Sequence, residues 1–142
     1  MTLDEMLARE AIRCTIAIYN NAGDRGAMDE MVGRFTPDAT LVVLSDELQG
    51  REAIRAYFQN IMDTGFLTGS DRRPARHHVA SSRVTFDSPD SAQGWSYFSL
   101  LRGGEIIQSG LYIDRFVRVG DDWLLASRRV KVEHDALRGP TA

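Results

Sequence analysis

Apolar residues near the start of the chain recur at steps of three and four: Leu3, Leu7, Ala11, Cys14, Ile18 and Ala22. That spacing predicts an amphipathic helix over Leu3 to Gly23 with this stripe turned inward. Asp4 and Glu5 suit its positive N-terminal end, and Gly23 is placed to stop it. A short second helix is expected over about Ala27 to Phe35. Thr36-Pro37 ends it, because the residue before a proline is pushed out of helical backbone angles. Thr40 to Leu44 is rich in β-branched and aliphatic residues and reads as a strand, with a loop at Ser45-Asp46-Glu47 after it. A third helix runs from about Arg51 to Asp63, with Ile54, Tyr57, Phe58 and Ile61 on its apolar face. Gly65 closes it, and residues 65–76 read as a long loop.

The second half changes period. Four runs read as strands: His77 to Phe86, Ala92 to Leu101, Glu105 to Val119 and Trp123 to Glu133. Their connectors, Asp87 to Asp90, Arg102 to Glu105 and Gly120 to Asp122, carry turn residues. Short connections make consecutive strands antiparallel neighbours. Helices placed mostly before an antiparallel sheet define an α+β domain. A strongly twisted sheet of this size can curl round its helices and enclose a cavity. One domain is expected over residues 1–136, with a frayed tail at 137–142.

Composition narrows the function classes. The chain has 142 residues, 43% of them hydrophobic, which is enough for one core. Its formal net charge is −3, and no long basic run is present, so nucleic acid is not an expected partner. Arg72, Arg73 and Arg76 form a weak basic cluster that reads as a solvated loop. No stretch approaches the roughly 18 continuous apolar residues of a membrane span. The first residues lack a basic, then apolar, leader pattern. A cytoplasmic protein without a membrane partner is therefore expected. The single cysteine, Cys14, is expected to be a buried structural thiol.

The candidate chemistry centres on His78. Counting alternate residues back from Phe86 and Val84 places His78 on their face, with the small residues Ala80 and Ser82, and turns His77 the other way. A histidine is the commonest proton-transfer group near neutral pH. Asp24, just past Gly23, is the second candidate: a carboxylate bonded to one imidazole nitrogen fixes the tautomer and raises the basicity of the other. The catalytic pair expected is Asp24 and His78. Tyr19 on the first helix, Tyr57 and Phe58 on the third, and Trp95, Tyr97 and Tyr112 on strands are the candidates to bind substrate. Adjacent His77 and His78 diverge and His134 is far along the chain, so no metal site is expected. No Walker A, dinucleotide or nucleophile-elbow motif occurs, and no cofactor is expected.

These residues also carry a resemblance. Tyr19 with Gly23-Asp24-Arg25-Gly26-Ala27-Met28-Asp29, then Phe35-Thr36-Pro37-Asp38-Ala39, then Gly50-Arg51-Glu52-Ala53-Ile54-Arg55, resembles the opening of the SnoaL-like (NTF2-like) family. Arg76-His77-His78-Val79 is similar to its Arg-His-His strand, and Tyr112, Asp114, Phe116, Trp123 and Arg128-Arg129 to its closing hairpin. The resemblance spans about residues 5–133. It implies a cone: a curved mixed, mostly antiparallel sheet wrapped on three helices around an apolar pocket. Within the family, scytalone dehydratase resembles this chain at Asp24 and His78, which implies a hydrogen-bonded acid–base pair. A second histidine of that enzyme corresponds to Arg102 here, and a tyrosine of its first strand to the aliphatic run Leu41 to Leu44.

The function implied is cofactor-free acid–base chemistry, a dehydration, isomerisation or cyclisation, on a small, largely apolar carbonyl compound. The alternatives are a non-catalytic ligand-binding or dimerisation domain, or a structural small subunit of a ring-hydroxylating dioxygenase. A homodimer through the outer face of the sheet is expected.

Overall fold

The computed structural model describes residues 1–67 and 73–136. Among them the elements run α1 (Leu3–Arg25), α2 (Met28–Val32), β1 (Phe35–Val43), β2 (Asp46–Gln49), α3 (Gly50–Asp63), β3 (Arg76–Ser88), β4 (Ser91–Arg102), β5 (Glu105–Val119) and β6 (Asp122–Asp135). The expected tail, 137–142, and Arg72 of the basic cluster lie outside the described residues.

The strands form a six-stranded sheet in the order β2-β1-β6-β5-β4-β3. β1 pairs parallel to β6 and every other pair is antiparallel, which makes the sheet mixed. The helices gather on one face: α1 packs on β6 and β3, α3 on β1, and α2 between the two longer helices. Ile12, Phe35, Leu41, Ile54, Phe116 and Leu125 are buried between the layers. No helix among the described residues is long and apolar enough to cross a membrane.

α1 begins at a capping box, Thr2 with Glu5, and ends three residues later than expected, at Gly26, whose φ of 78° is the left-handed cap. Gly23 is inside the helix. A Cβ there would lie 3.2 Å from the Met31 sulfur, so its role is to let α2 approach. The inward stripe is also rotated by about one residue from the expected one. Ile12, Thr15, Ile16, Tyr19, Asn20 and Gly23 are buried, whereas Leu3 and Leu7 are exposed. Cys14 is only half-buried and sits beside the exposed Glu10–Arg13 pair. Both departures have one cause: polar residues carry part of the buried stripe, and a count of apolar positions passes over them.

Two local features were not expected. The segment after Leu44 is the second arm of a tight hairpin, β2, where a loop was expected. β1 also starts early, at Phe35, and takes in Pro37. Its pairing with β6 is broken between Phe35 and Thr40, so the proline sits where it owes no ladder bond.

A third departure decides the site. β3 pairs with β4 as Ala80↔Tyr97 and then Arg83↔Trp95, so Ser81 and Ser82 stand opposite Ser96 alone. Ser81 has a positive φ of 52°, unusual for a residue with a side chain. This is a β-bulge, and one extra residue inverts the alternation along the strand. Val84 and Phe86 face inward on one side of it, and Val79 and His77 face inward on the other.

Candidate functional site

α1 runs along β3, the edge strand of the sheet, and Asp24 near its C-terminal end meets the start of that strand. Asp24 is 5% exposed. One of its carboxylate oxygens accepts the His77 backbone N–H at 2.9 Å, and the other lies 2.6 Å from His77 Nδ1. A carboxylate oxygen only accepts, so at that distance Nδ1–H donates to it and Nε2 is left as the ring's proton acceptor. The short contact is the charge-assisted kind. His77 is thus held through both its backbone and its ring by one side chain.

The His77 ring lines a cavity of about 560 Å³ between the sheet and the helices. Tyr19, Met28, Met31, Tyr57, Phe58 and Phe98 supply much of its apolar wall. Tyr112 and Asn20 also line it. The Tyr112 hydroxyl donates to Asn20 Oδ1 at 3.2 Å, which orients the amide. Asn20 Nδ2 is buried and has no partner among the described residues. A cavity of this size, mostly apolar with a few convergent polar groups, fits a small organic molecule.

Beneath Tyr19 and Tyr112 lies a buried ion pair. Arg128 Nε and Nη2 donate to the two oxygens of Asp114 at 2.7 and 2.8 Å, and neither side chain is exposed. The guanidinium carbon sits 3.8 Å from the centre of the Tyr112 ring and 4.3 Å from that of Tyr19. Cation–π attraction therefore adds to the ion pair in fixing both phenols. Removing one partner would leave an uncompensated buried charge, at a cost of about 3–5 kcal/mol. Burial pushes the Tyr19 phenol up to about 12, against the opposing pull of Arg128, and pushes Tyr112 higher still. Both remain neutral at ordinary pH, so each hydroxyl can donate.

The structure corrects the expected pair. Asp24 meets His77, while His78 lies on the opposite face of β3 and is exposed. The reason is the bulge: counting back from Phe86 crosses it and returns the wrong face, whereas counting from Val79 gives His77. Trp95 and Tyr97, expected in the pocket, are 51% and 54% exposed on the outer face of the sheet. The inward residues of β4 are Ala92, Gly94, Ser96, Phe98 and Leu100. Tyr19, Tyr57, Phe58 and Tyr112 do line the cavity. Asn20, Met28, Met31 and Phe98 were not singled out from the sequence, nor was the pairing of Arg128 with Asp114. Asn20 carried one signal, its position four residues before Asp24 on the same helix face. Among the described residues, no three of His, Cys, Asp and Glu converge as metal ligands would.

The model of the SnoaL-like domain matches residues 4–129. The chain belongs to the SnoaL-like domain family. Solved structures agree on the fold. A Mycobacterium tuberculosis protein of unknown function superposes with a TM-score of 0.80 at 22% identity, over 97% of this chain and 79% of that one. An NTF2-like protein with a cystatin-like fold from Novosphingobium aromaticivorans gives 0.81 at 20% identity, over 92% and 85%. The hexachlorocyclohexane dehydrochlorinase LinA-type3 from Novosphingobium barchaimii gives 0.78 at 17% identity, over 93% and 90%. No curated protein sequence matches the chain. The expected architecture, a mixed sheet wrapped on three helices in the NTF2-like manner, is the one seen in this SnoaL-like chain.

The buried phenols predict how stability responds to alkali. Folded Tyr19 keeps its proton to about 12, while an unfolded tyrosine loses it near 10. Stability should hold below about pH 10 and fall as pH rises from there towards 12, because the unfolded chain binds fewer protons. Denaturant melts across that range check this. Replacing Tyr19 by Phe should flatten part of the fall.

Proposed function

We propose that the chain is a cofactor-independent acid–base enzyme of the dehydratase, isomerase or cyclase type, acting on a small, largely apolar carbonyl compound. The observation that carries this is the Asp24–His77 contact at the wall of an apolar cavity. In this reading His77, not His78, removes a proton from the carbon beside the carbonyl. Asp24 holds the ring and stabilises its charged form. Asn20 Nδ2 and the neutral Tyr19 hydroxyl hydrogen-bond the substrate oxygen as negative charge develops on it. Tyr57, Phe58 and Tyr112 shape the apolar wall. The dehydrochlorinase among the structural neighbours is named for an elimination, and elimination also removes a proton from carbon. A base positioned in this way contributes roughly 10²- to 10⁴-fold.

Deuterium exchange beside the carbonyl of a panel of apolar cyclic ketones, followed by proton NMR, tests the assignment. Wild-type protein should accelerate exchange in at least one member. His77→Ala should lose about 10²-fold or more of that rate, and His78→Ala should keep it. Equal rates in wild type and His77→Ala would refute the role of His77.

The outer face supports a second proposal, self-association. Trp95 and Tyr97 are large, exposed and neighbours on one face of β4, and exposed aromatics of this kind mark contact surfaces. We propose that they sit in a homodimer interface. Sedimentation should show a dimer for the wild type and a monomer for Trp95→Glu. A monomeric wild type would overturn this.

A further inference from the structure

We infer that a second groove, between α1 and β3, binds an oxyanion, the carboxylate or phosphate group of a small ligand. The groove has a volume of about 830 Å³ and shares Asn20 and His77 with the wall of the apolar cavity. Its α1 side runs from Arg9 to Asp24, roughly 22 Å of helix at 1.5 Å per residue.

Its charge is opposite to that of the chain. The protein carries a formal −3, yet Arg9, Arg13 and Arg76 line the groove and Asp24 is the only carboxylate lining it among the described residues. Both oxygens of Asp24 are taken by His77. Arg13 is held by Glu10, at 2.5–2.7 Å, but both side chains are largely exposed. The other two arginines are anchored through backbone carbonyls: Arg9 Nη1 donates to Val84 O and Arg76 Nη1 to Ala75 O, both at 3.0 Å. Neither meets a carboxylate among the described residues, and the buried Arg9 Nε has no partner there. A guanidinium fixed in place with donors to spare pairs with carboxylate or phosphate through parallel hydrogen bonds. Ile12, Ile16 and Val79 give the same groove an apolar lining for the ligand's body.

The oxyanion can be a free ion or the tail of a molecule whose other end is apolar. Binding is followed by amide shifts in ¹⁵N-labelled protein, with three probes: inorganic phosphate, 7-oxooctanoate and 2-octanone. This readout does not depend on turnover, so it stands or falls apart from the catalytic assignment of His77. Both anions should shift amides of residues 9–24 and 76–84, and added salt should weaken them. Tighter binding of the keto acid than of phosphate or the neutral ketone assigns the site to an anionic tail. Equal binding of the two anions assigns it to a free ion. Arg76→Gln, at an exposed position that leaves the core untouched, should weaken either anion about 10-fold, as the loss of a charge-assisted hydrogen bond predicts. No shift in these two elements with either anion would overturn the proposal. So would shifts that Arg76→Gln leaves unchanged.

Discussion

One carboxylate ties the helical layer to the free edge of the sheet. Asp24 accepts both the backbone N–H and the ring nitrogen of His77, so a single buried side chain settles strand position and imidazole orientation together. Edge strands leave unpaired backbone groups, and here the first of them is used by α1. Arg9 does the same further along, donating to the carbonyl of Val84. Between these two clamps lies the bulge at Ser81 and Ser82, where the strand inverts its facing. Helix end, edge strand and bulge therefore act as one device, and the site follows from where it puts His77.

The polar interior behind the aromatic wall depends on a second constraint. Arg128 and Asp114 are both fully buried, and such a pair is a weak source of net stability. Its effect is on position. Arg128 stacks against Tyr19 and Tyr112, and Tyr112 in turn orients Asn20. The cavity thus gains a neutral phenol and an amide donor in fixed places, within an otherwise apolar wall. Preorganised donors of this kind favour charge that appears during a reaction more than charge already present.

Much of the fold could be read from the chain, because period and punctuation act locally. The four long strands, the three helices and the α+β order follow from spacing and turn residues, while the mixed sheet was implied only by the family resemblance. The errors fall where a non-local partner decides. Gly23 looked like a helix stop but makes room for Met31. The buried stripe of α1 includes Thr15 and Asn20, which apolar counting ignores. That Asp24 would meet a histidine of β3 was legible, and so was the place of Tyr19, Tyr57, Phe58 and Tyr112 on the cavity wall. His77 was not. Its facing depends on one extra residue in β3, and Ser81-Ser82 carries no signal of a bulge except its small size. Trp95 and Tyr97 failed for a related reason: alternation gives which residues share a face, but not which face is inside.

The direct test is a long-range proton–nitrogen correlation spectrum of the histidine rings at neutral pH. His77 should be fixed as the Nδ1-protonated tautomer, with a far-downfield, slowly exchanging ring proton that disappears in Asp24→Asn. His78 should show the averaged pattern of a solvent-exposed ring. A His77 ring that averages its tautomers in the same way, or a fixed proton on His78 instead, would contradict the pairing of Asp24 with His77.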